Sequence, residues 1–245
     1  LLLAQKLPYK TIERTPQGIN LQELERIFQS GKIKFFYTIP RFHYPLGHSY
    51  SRQDKEEILR LAQLYDVYIV EDDYLSDFDS RRELTFHYLD NSQRVIYIKS
   101  FSTSLFPALR ITALLLPPQI QKTFIAYKSA VDYDSNLIMQ KALSLYIDSL
   151  MFEKNRLALL QLKEEEARKA QILLEQAQLP LASYLTKDGI LLDLRSLSSV
   201  SALKHSSLPL DFFEQSYLAS CPYQYAKLPY DNLEENVEKL KDYLK

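Results

Sequence analysis

Cysteine and glycine are the scarce residues of this 245-residue chain, which has one cysteine, Cys221, and four glycines, Gly18, Gly31, Gly47 and Gly189. A single cysteine excludes an internal disulfide and fits a reducing cytoplasm. Cys221, followed by Pro222, has no recognisable base partner and reads as a small packing residue. Four glycines are few against an average usage of about 7%, and none is grouped as a Walker or dinucleotide phosphate loop requires. No apolar run approaches the roughly 20 residues that span a bilayer. The formal net charge of -1 leaves no basic stripe of the kind that holds nucleic acid. His43, His48, His87 and His205 have no metal-ligand spacing, so no metal is expected. The serines form no G-x-S-x-G elbow. Leu1-Leu2-Leu3-Ala4-Gln5-Lys6 lacks an initiator Met and a signal-peptide layout, and reads as the tail of an amphipathic helix cut from a longer protein.

What is present is the material of a packed core. Hydrophobic residues make up 46% and charged residues 25%, the balance of a soluble globular protein. The 18 tyrosines and 12 phenylalanines suit a core or an oligomer interface. Pro16-Gln17-Gly18 makes a turn, and Asn20 opens a helix with apolar spacing at Leu21, Leu24, Ile27 and Phe28, ended by Gly31. Ile33 to Ile39 reads as a buried strand closed by Pro40, and Pro45-Leu46-Gly47 as a turn. Ser51 with Asp54 resembles a capping box before a helix striped with Ile58, Leu59, Ala62 and Leu64. Val67 to Val70 and Val95 to Ile98 are further strands, and Leu114 to Leu116 a candidate fourth. Continuously apolar strands separated by helices indicate parallel βαβ units covered on both faces. From about Ser135 the chain turns helical, ending in Arg156 to Gln178, where Glu164 with Arg168 and Glu165 with Lys169 are spaced as i,i+4 pairs. Pro180 stops that helix. Gly189 to Leu194 as a strand and Leu233 to Leu244 as a helix complete a small α+β annex.

Two segments carry chemistry. Glu71-Asp72-Asp73-Tyr74 follows the second strand, where ligand-binding residues of such sheets sit, although by itself it reads equally as an acidic loop or helix cap. Ser100-Phe101-Ser102-Thr103-Ser104-Leu105-Phe106-Pro107-Ala108-Leu109-Arg110 follows the third. This second segment resembles the S-F-S-K-x-L-F-P-G-L-R stretch of the aminotransferase-like domains in MocR-type GntR regulators, relatives of the fold type I enzymes that use pyridoxal 5'-phosphate. Thr103 stands where that family has its Schiff-base lysine. A hydroxyl can neither condense with the cofactor aldehyde nor shuttle a proton as the amine does. Lys99, four residues upstream at the end of a strand, starts from another place and points elsewhere.

The resemblance implies a role for each matching position. Asp72 would pair with the protonated pyridine nitrogen and Tyr74 would bond the ring's 3-hydroxyl. Ser100, Ser102 and Arg110 would contact the phosphate, which an arginine's planar fork suits. Leu75-Ser76-Asp77-Phe78 is similar to the family's D-S-E-F. Pro40 to Gly47 is similar to P-S-H-Q-Y-P-L-G, with Phe42 and His43 in the histidine and glutamine places; a plain Pro/Gly turn accounts for that segment nearly as well. Ala108 replaces a glycine. The arginine that grips the substrate carboxylate has no match in Cys221-Pro222-Tyr223-Gln224-Tyr225-Ala226-Lys227-Leu228, and Arg195 and Lys227 are weak stand-ins. The family's T-x-G-x-Q-Q-A-L-like segment and winged-helix N-terminus are not found.

The expected fold is therefore α/β, a pyridoxal-phosphate-dependent transferase-like (fold type I), mainly parallel sheet, N-terminally incomplete, with a small α+β C-terminal domain. Residues 1–150 would form the partial large domain, and 151–245 a linking helix and the small domain. The expected function is a non-catalytic effector-binding and dimerisation domain of a GntR/MocR-type regulator. It would hold pyridoxal phosphate or a similar anion non-covalently, form a homodimer in the cytoplasm, and reach DNA only through a separate winged-helix domain. An active pyridoxal-phosphate-dependent aminotransferase and a structural remnant that binds nothing are the alternatives.

Overall fold

A computed structural model describes residues 6–132, 135–197, 200–213 and 225–244. The chain divides into two compact units, one of residues up to Arg41 with Ser49–Leu159, the other of Phe42–His48 with residues from Leu160 onward.

The first unit opens with a small antiparallel hairpin, β1 (Arg14–Thr15) and β2 (Gly18–Ile19), across the Pro16-Gln17 turn. Helix α1 (Leu21–Gln29) follows, its first turn capped by Asn20, whose Oδ1 accepts from the Glu23 amide at 3.1 Å. Gly31 leaves the helix at φ +68°, a region that favours glycine. Next come β3 (Phe35–Thr38) and α2 (Arg52–Leu64). The capping box is formed: the Asp54 amide donates to Ser51 Oγ and the Ser51 amide to Asp54 Oδ2, both at 3.1 Å. β4 (Tyr68–Asp72), α3 (Phe86–Leu89), β5 (Val95–Ser100), β6 (Thr112–Leu115), α4 (Pro118–Val131), α5 (Leu137–Asp148) and the long α6 (Met151–Ala177) continue the chain. Helix α4 was not anticipated. Its sequence signal is Pro118 at the first helical position, where a missing N–H costs nothing.

The four strands of this unit lie in the order β3-β4-β5-β6, with β3, β4 and β5 parallel and β6 antiparallel to β5. The mainly parallel sheet is thus present. Two strands run further than expected. β4 continues through Glu71 and Asp72, and β5 through Lys99 and Ser100, because the ladders pair Thr38 with Glu71, Asp72 with Ile98, and Ser100 with Thr112. The core beneath gathers Leu24 and Phe28 of α1, Ile58, Leu61 and Ala62 of α2, and Val67, Ile69, Phe86 and Val95. Each large side chain buried there contributes about 1.5–3 kcal/mol relative to exposure.

The second unit is α+β. After α6 come β7 (Ser183–Leu185), β8 (Gly189–Asp193), α7 (Ser201–Lys204), β9 (Asp211–Phe213), β10 (Tyr225–Pro229) and α8 (Leu233–Leu244). The strands form an antiparallel sheet in the order β7-β8-β10-β9. Ile190, Leu192, Ala226 and Leu228 pack with Val237 and Leu240 of α8 and Ala170 of α6. Along α6 the ion pairs run at i,i+3, as Glu153–Arg156 and Lys163–Glu166. In place of its expected partner Lys169, Glu165 accepts from Gln161 Nε2 at 3.1 Å.

Candidate functional site

Period-two alternation sorts the site residues between the two faces of the first unit's sheet. Asp72 shares a face with Val70, Ile98 and Ser100, and the register places Tyr37 of β3 opposite Val70. Tyr37 is therefore a diagonal neighbour of Asp72, within reach of a long aromatic side chain. Its hydroxyl donates to Asp72 Oδ2 at 2.6 Å. This face is open: Phe35 and Tyr37 are 50% and 52% exposed. Tyr74, just past β4, is close enough to Tyr37 to act on its ionisation; burial first, then Asp72 and Tyr74, raise the Tyr37 phenol above its ordinary range. Asp72, Tyr74 and Ser100 are thus brought to the carboxyl end of adjacent strands. Tyr37 is a partner of the candidate residue Asp72 that the sequence did not suggest, since only the strand register reveals the contact.

The opposite face is closed and carries a buried polar network. Glu71 is fully buried and accepts from the Phe86 and His87 amides at 2.8 and 2.9 Å, satisfying the first turn of α3. Burial pushes its carboxyl up to about 7, against the pull of those two amides. Asp73, also fully buried, lies with Oδ1 2.7 Å from Arg41 Nε and accepts from Tyr97 at 3.1 Å. Burial raises the Asp73 carboxyl, and Arg41 and Tyr97 oppose the rise. Arg41 also pairs with Asp79 and donates to the Glu83 carbonyl at 3.3 Å. Lys99 belongs to this closed face, one residue out of phase with Ser100. Its ammonium is held by Ser76 Oγ at 2.7 Å and by the Asp77 carboxylate. By alternation Lys99 faces away from the side that Asp72 and Ser100 share.

Beyond β5 the chain makes a closed loop, pinned where the Phe101 amide donates to the Ile111 carbonyl at 3.2 Å. The Ser102 amide donates to Ser100 Oγ at 3.3 Å. Thr103 and Arg110 are both exposed on this loop, and Arg110 adopts φ +51°, ψ +35° after the short turn Pro107–Leu109. Leu109, Ile111 and Leu143 of α5 anchor the loop from below.

In the second unit, Tyr44 donates to Asp211 Oδ2 at 2.8 Å and packs edge-on against Phe213 at 5.4 Å. Phe42 lies under Lys187 Nζ at 4.4 Å, and the His43 amide donates to the His48 carbonyl at 2.9 Å. The stand-ins for a substrate arginine are engaged: Arg195 clasps Asp193 with two nitrogens, and Lys227 pairs with Asp188 over the Tyr44 ring. Residues 221–224, including Cys221, lie outside the described residues, as do residues 1–5. Among the described residues no group of three or more His, Cys, Asp or Glu side chains is placed to hold a metal, and no helix is long and apolar enough to cross a membrane.

The donor set fits pyridoxal phosphate in part. The carboxylate of Asp72 on an open sheet face, Tyr74 just past that strand, Ser100 at the end of β5 and Ser102 and Arg110 on the loop beyond are residue types suited to a ring nitrogen, a ring hydroxyl and a phosphate. No amine is among them: Thr103 is exposed on the loop, and Lys99 lies on the closed face, held by Ser76 and Asp77.

No family model matches the chain. It is 47% identical over 151 residues to the uncharacterized HTH-type transcriptional regulator YcxD of Bacillus subtilis, covering 61% of this chain and 34% of the relative. It is 31% identical over 157 residues to the probable rhizopine catabolism regulatory protein MocR of Rhizobium meliloti, covering 63% and 31%. The chain spans about a third of the length of the curated relatives it matches. Among solved structures, a kynurenine aminotransferase of Pyrococcus horikoshii superposes with a TM-score of 0.83 at 24% identity, over 97% of this chain and 64% of that one. The multiple substrate aminotransferase of Thermococcus profundus gives 0.83 at 20%, covering 97% and 64%. The chain is thus similar in sequence to parts of HTH-type transcriptional regulators and of aminotransferases, and its fold is that of the solved aminotransferases over about two thirds of their length.

Proposed function

We propose that this chain is a non-catalytic, aminotransferase-like effector-binding and dimerisation domain of a GntR/MocR-type transcriptional regulator, acting in the cytoplasm. Residues 1–150 are read as the partial large domain, and 151–245 as the linking helix and small domain. The observation that carries the reading is the pairing of Thr103 at the lysine place with a Lys99 locked on the opposite sheet face by Ser76 and Asp77. Pyridoxal phosphate, when bound, supplies an electron-withdrawing ring. Asp72 would accept a proton-bearing ring nitrogen, Tyr74 would meet the ring hydroxyl, and Ser100, Ser102 and Arg110 would hold the phosphate. Nothing in that set moves a substrate proton, so binding is reversible and its consequence is conformational. A regulator needs only differential affinity for two states. DNA is reached through a separate winged-helix domain.

Pyridoxal phosphate with borohydride, followed by peptide mapping, and calorimetry with pyridoxine 5'-phosphate, which has no aldehyde, test this directly. Expected are reversible pyridoxine phosphate binding, about a tenfold loss with Arg110→Ala through the missing charged phosphate contact, and no stoichiometric lysine capture. Capture at Lys99 would establish the enzymatic reading instead. Absence of binding would leave a structural remnant.

A further inference from the structure

One oxygen of the Asp72 carboxylate is already engaged. Its Oδ2 already accepts a short bond, 2.6 Å, from Tyr37, whose side chain crosses from the neighbouring strand by the diagonal that the β3–β4 register creates. Tyr37 is half exposed, at 52%, so its ring has room to turn toward solvent. Burial and the adjacent carboxylate raise the phenol's ionisation above its ordinary range, so Tyr37 remains a donor at every pH the protein meets. A bond from a neutral phenol to a carboxylate is favourable but replaceable: a cationic N–H forms a stronger, charge-assisted bond to the same oxygen. A ligand with no such donor gains nothing there, and must leave either Tyr37 in place or Asp72 covered and unpaired.

We propose that Tyr37 is a specificity latch on Asp72, released by ring ligands that present a protonated heteroaromatic nitrogen and kept closed by neutral ring isosteres. The inference rests on the effector-site reading above and adds to it the class of ligand and the residue that selects it. Arg41, Asp73 and Tyr97 lie on the other face of the sheet, so the latch can open without disturbing the network that fixes β4.

The test measures dissociation constants by calorimetry for pyridoxine 5'-phosphate and for its 1-deaza analogue, in which a C–H replaces the ring nitrogen. Both are measured on the wild-type chain and on Tyr37→Phe. Removing the competing phenol should tighten pyridoxine phosphate about three- to tenfold, the range of one net hydrogen bond to a charged group at a half-open position. The deaza analogue should be unchanged or weaker, so the ratio of the two constants widens. A merely structural role for Tyr37 would move both ligands together and leave that ratio alone. Unchanged or weakened pyridoxine phosphate binding in Tyr37→Phe, with the wild type binding normally, overturns the latch and leaves the effector site standing. No binding by either protein overturns the effector site and the latch with it. A thermal melt of Tyr37→Phe within about 2 °C of wild type, as expected for a surface substitution, verifies that the variant is folded.

Discussion

Glu71, Asp72 and Asp73 share one chemistry and have three environments, because consecutive strand residues face opposite ways. Asp72 reaches the open face and meets Tyr37; its two neighbours are driven into the closed one. Glu71 shows the thermodynamic consequence most plainly. Its carboxyl rises from 4.5 to about 7 on burial, so between those values the folded protein keeps a proton that the unfolded chain releases. Stability from this group is therefore fully present below pH 4.5 and is lost as pH climbs to about 7. The span corresponds to about 3 kcal/mol. Urea titrations at pH 5, 6, 7 and 8 should show the wild type losing stability relative to Glu71→Gln as pH rises. Gln lacks the titrating proton but also gives up part of the acceptor for the Phe86 and His87 amides, at about 1–2 kcal/mol. A gap between the two proteins that stays constant over this range would refute the buried ionisation. At this scale the resemblance in the sequence assigns Asp72, among Glu71 to Tyr74, to the ring nitrogen, and the strand phase sets Asp72 on the open face.

Elements whose signals are local were legible. Asn20, the Ser51–Asp54 box and Leu233 to Leu244 declared their helices because caps and apolar stripes are set within a few residues. Strand ends were not, since a ladder stops where its neighbour stops: β4 and β5 each continue two residues into polar sequence. Glycine illustrates the same divide. Gly31 has open space around it and only its φ of +68° to protect, whereas a Cβ on Gly189 would lie 2.4 Å from the Leu228 carbonyl oxygen of the adjacent strand. Gly31→Ala should cost about 1 kcal/mol, from backbone conformation alone. Gly189→Ala should cost about 3 kcal/mol by forcing β8 and β10 apart. Equal losses in denaturant midpoint for the two variants would refute the close approach at Gly189. Nothing near Gly189 in sequence announces it, because Leu228 is far along the chain.

At the scale of the whole molecule, apolar surface points to a partner. Tyr127 and Val131 of α4 and Ile138 of α5 are 74%, 73% and 79% exposed, and α4 buries none of its residues. Large apolar side chains left this exposed are what an interaction surface would cover, as the proposed homodimer requires. Sedimentation equilibrium at micromolar concentration should give a dimer that Ile138→Asp weakens about tenfold or more, since the charge would have to be buried at the contact. A monomer at all concentrations would count against the dimer. The sequence by itself determined the α/β class and the fold type I likeness, because each is written in residue types at short spacing. Only the tertiary structure decided that Lys99 shares the closed face with Glu71 and Asp73, and that an oxygen of Asp72 on the open face is engaged by Tyr37. Those facts depend on strand phase and register, which pair residues far apart in the chain and turn neighbours to opposite faces.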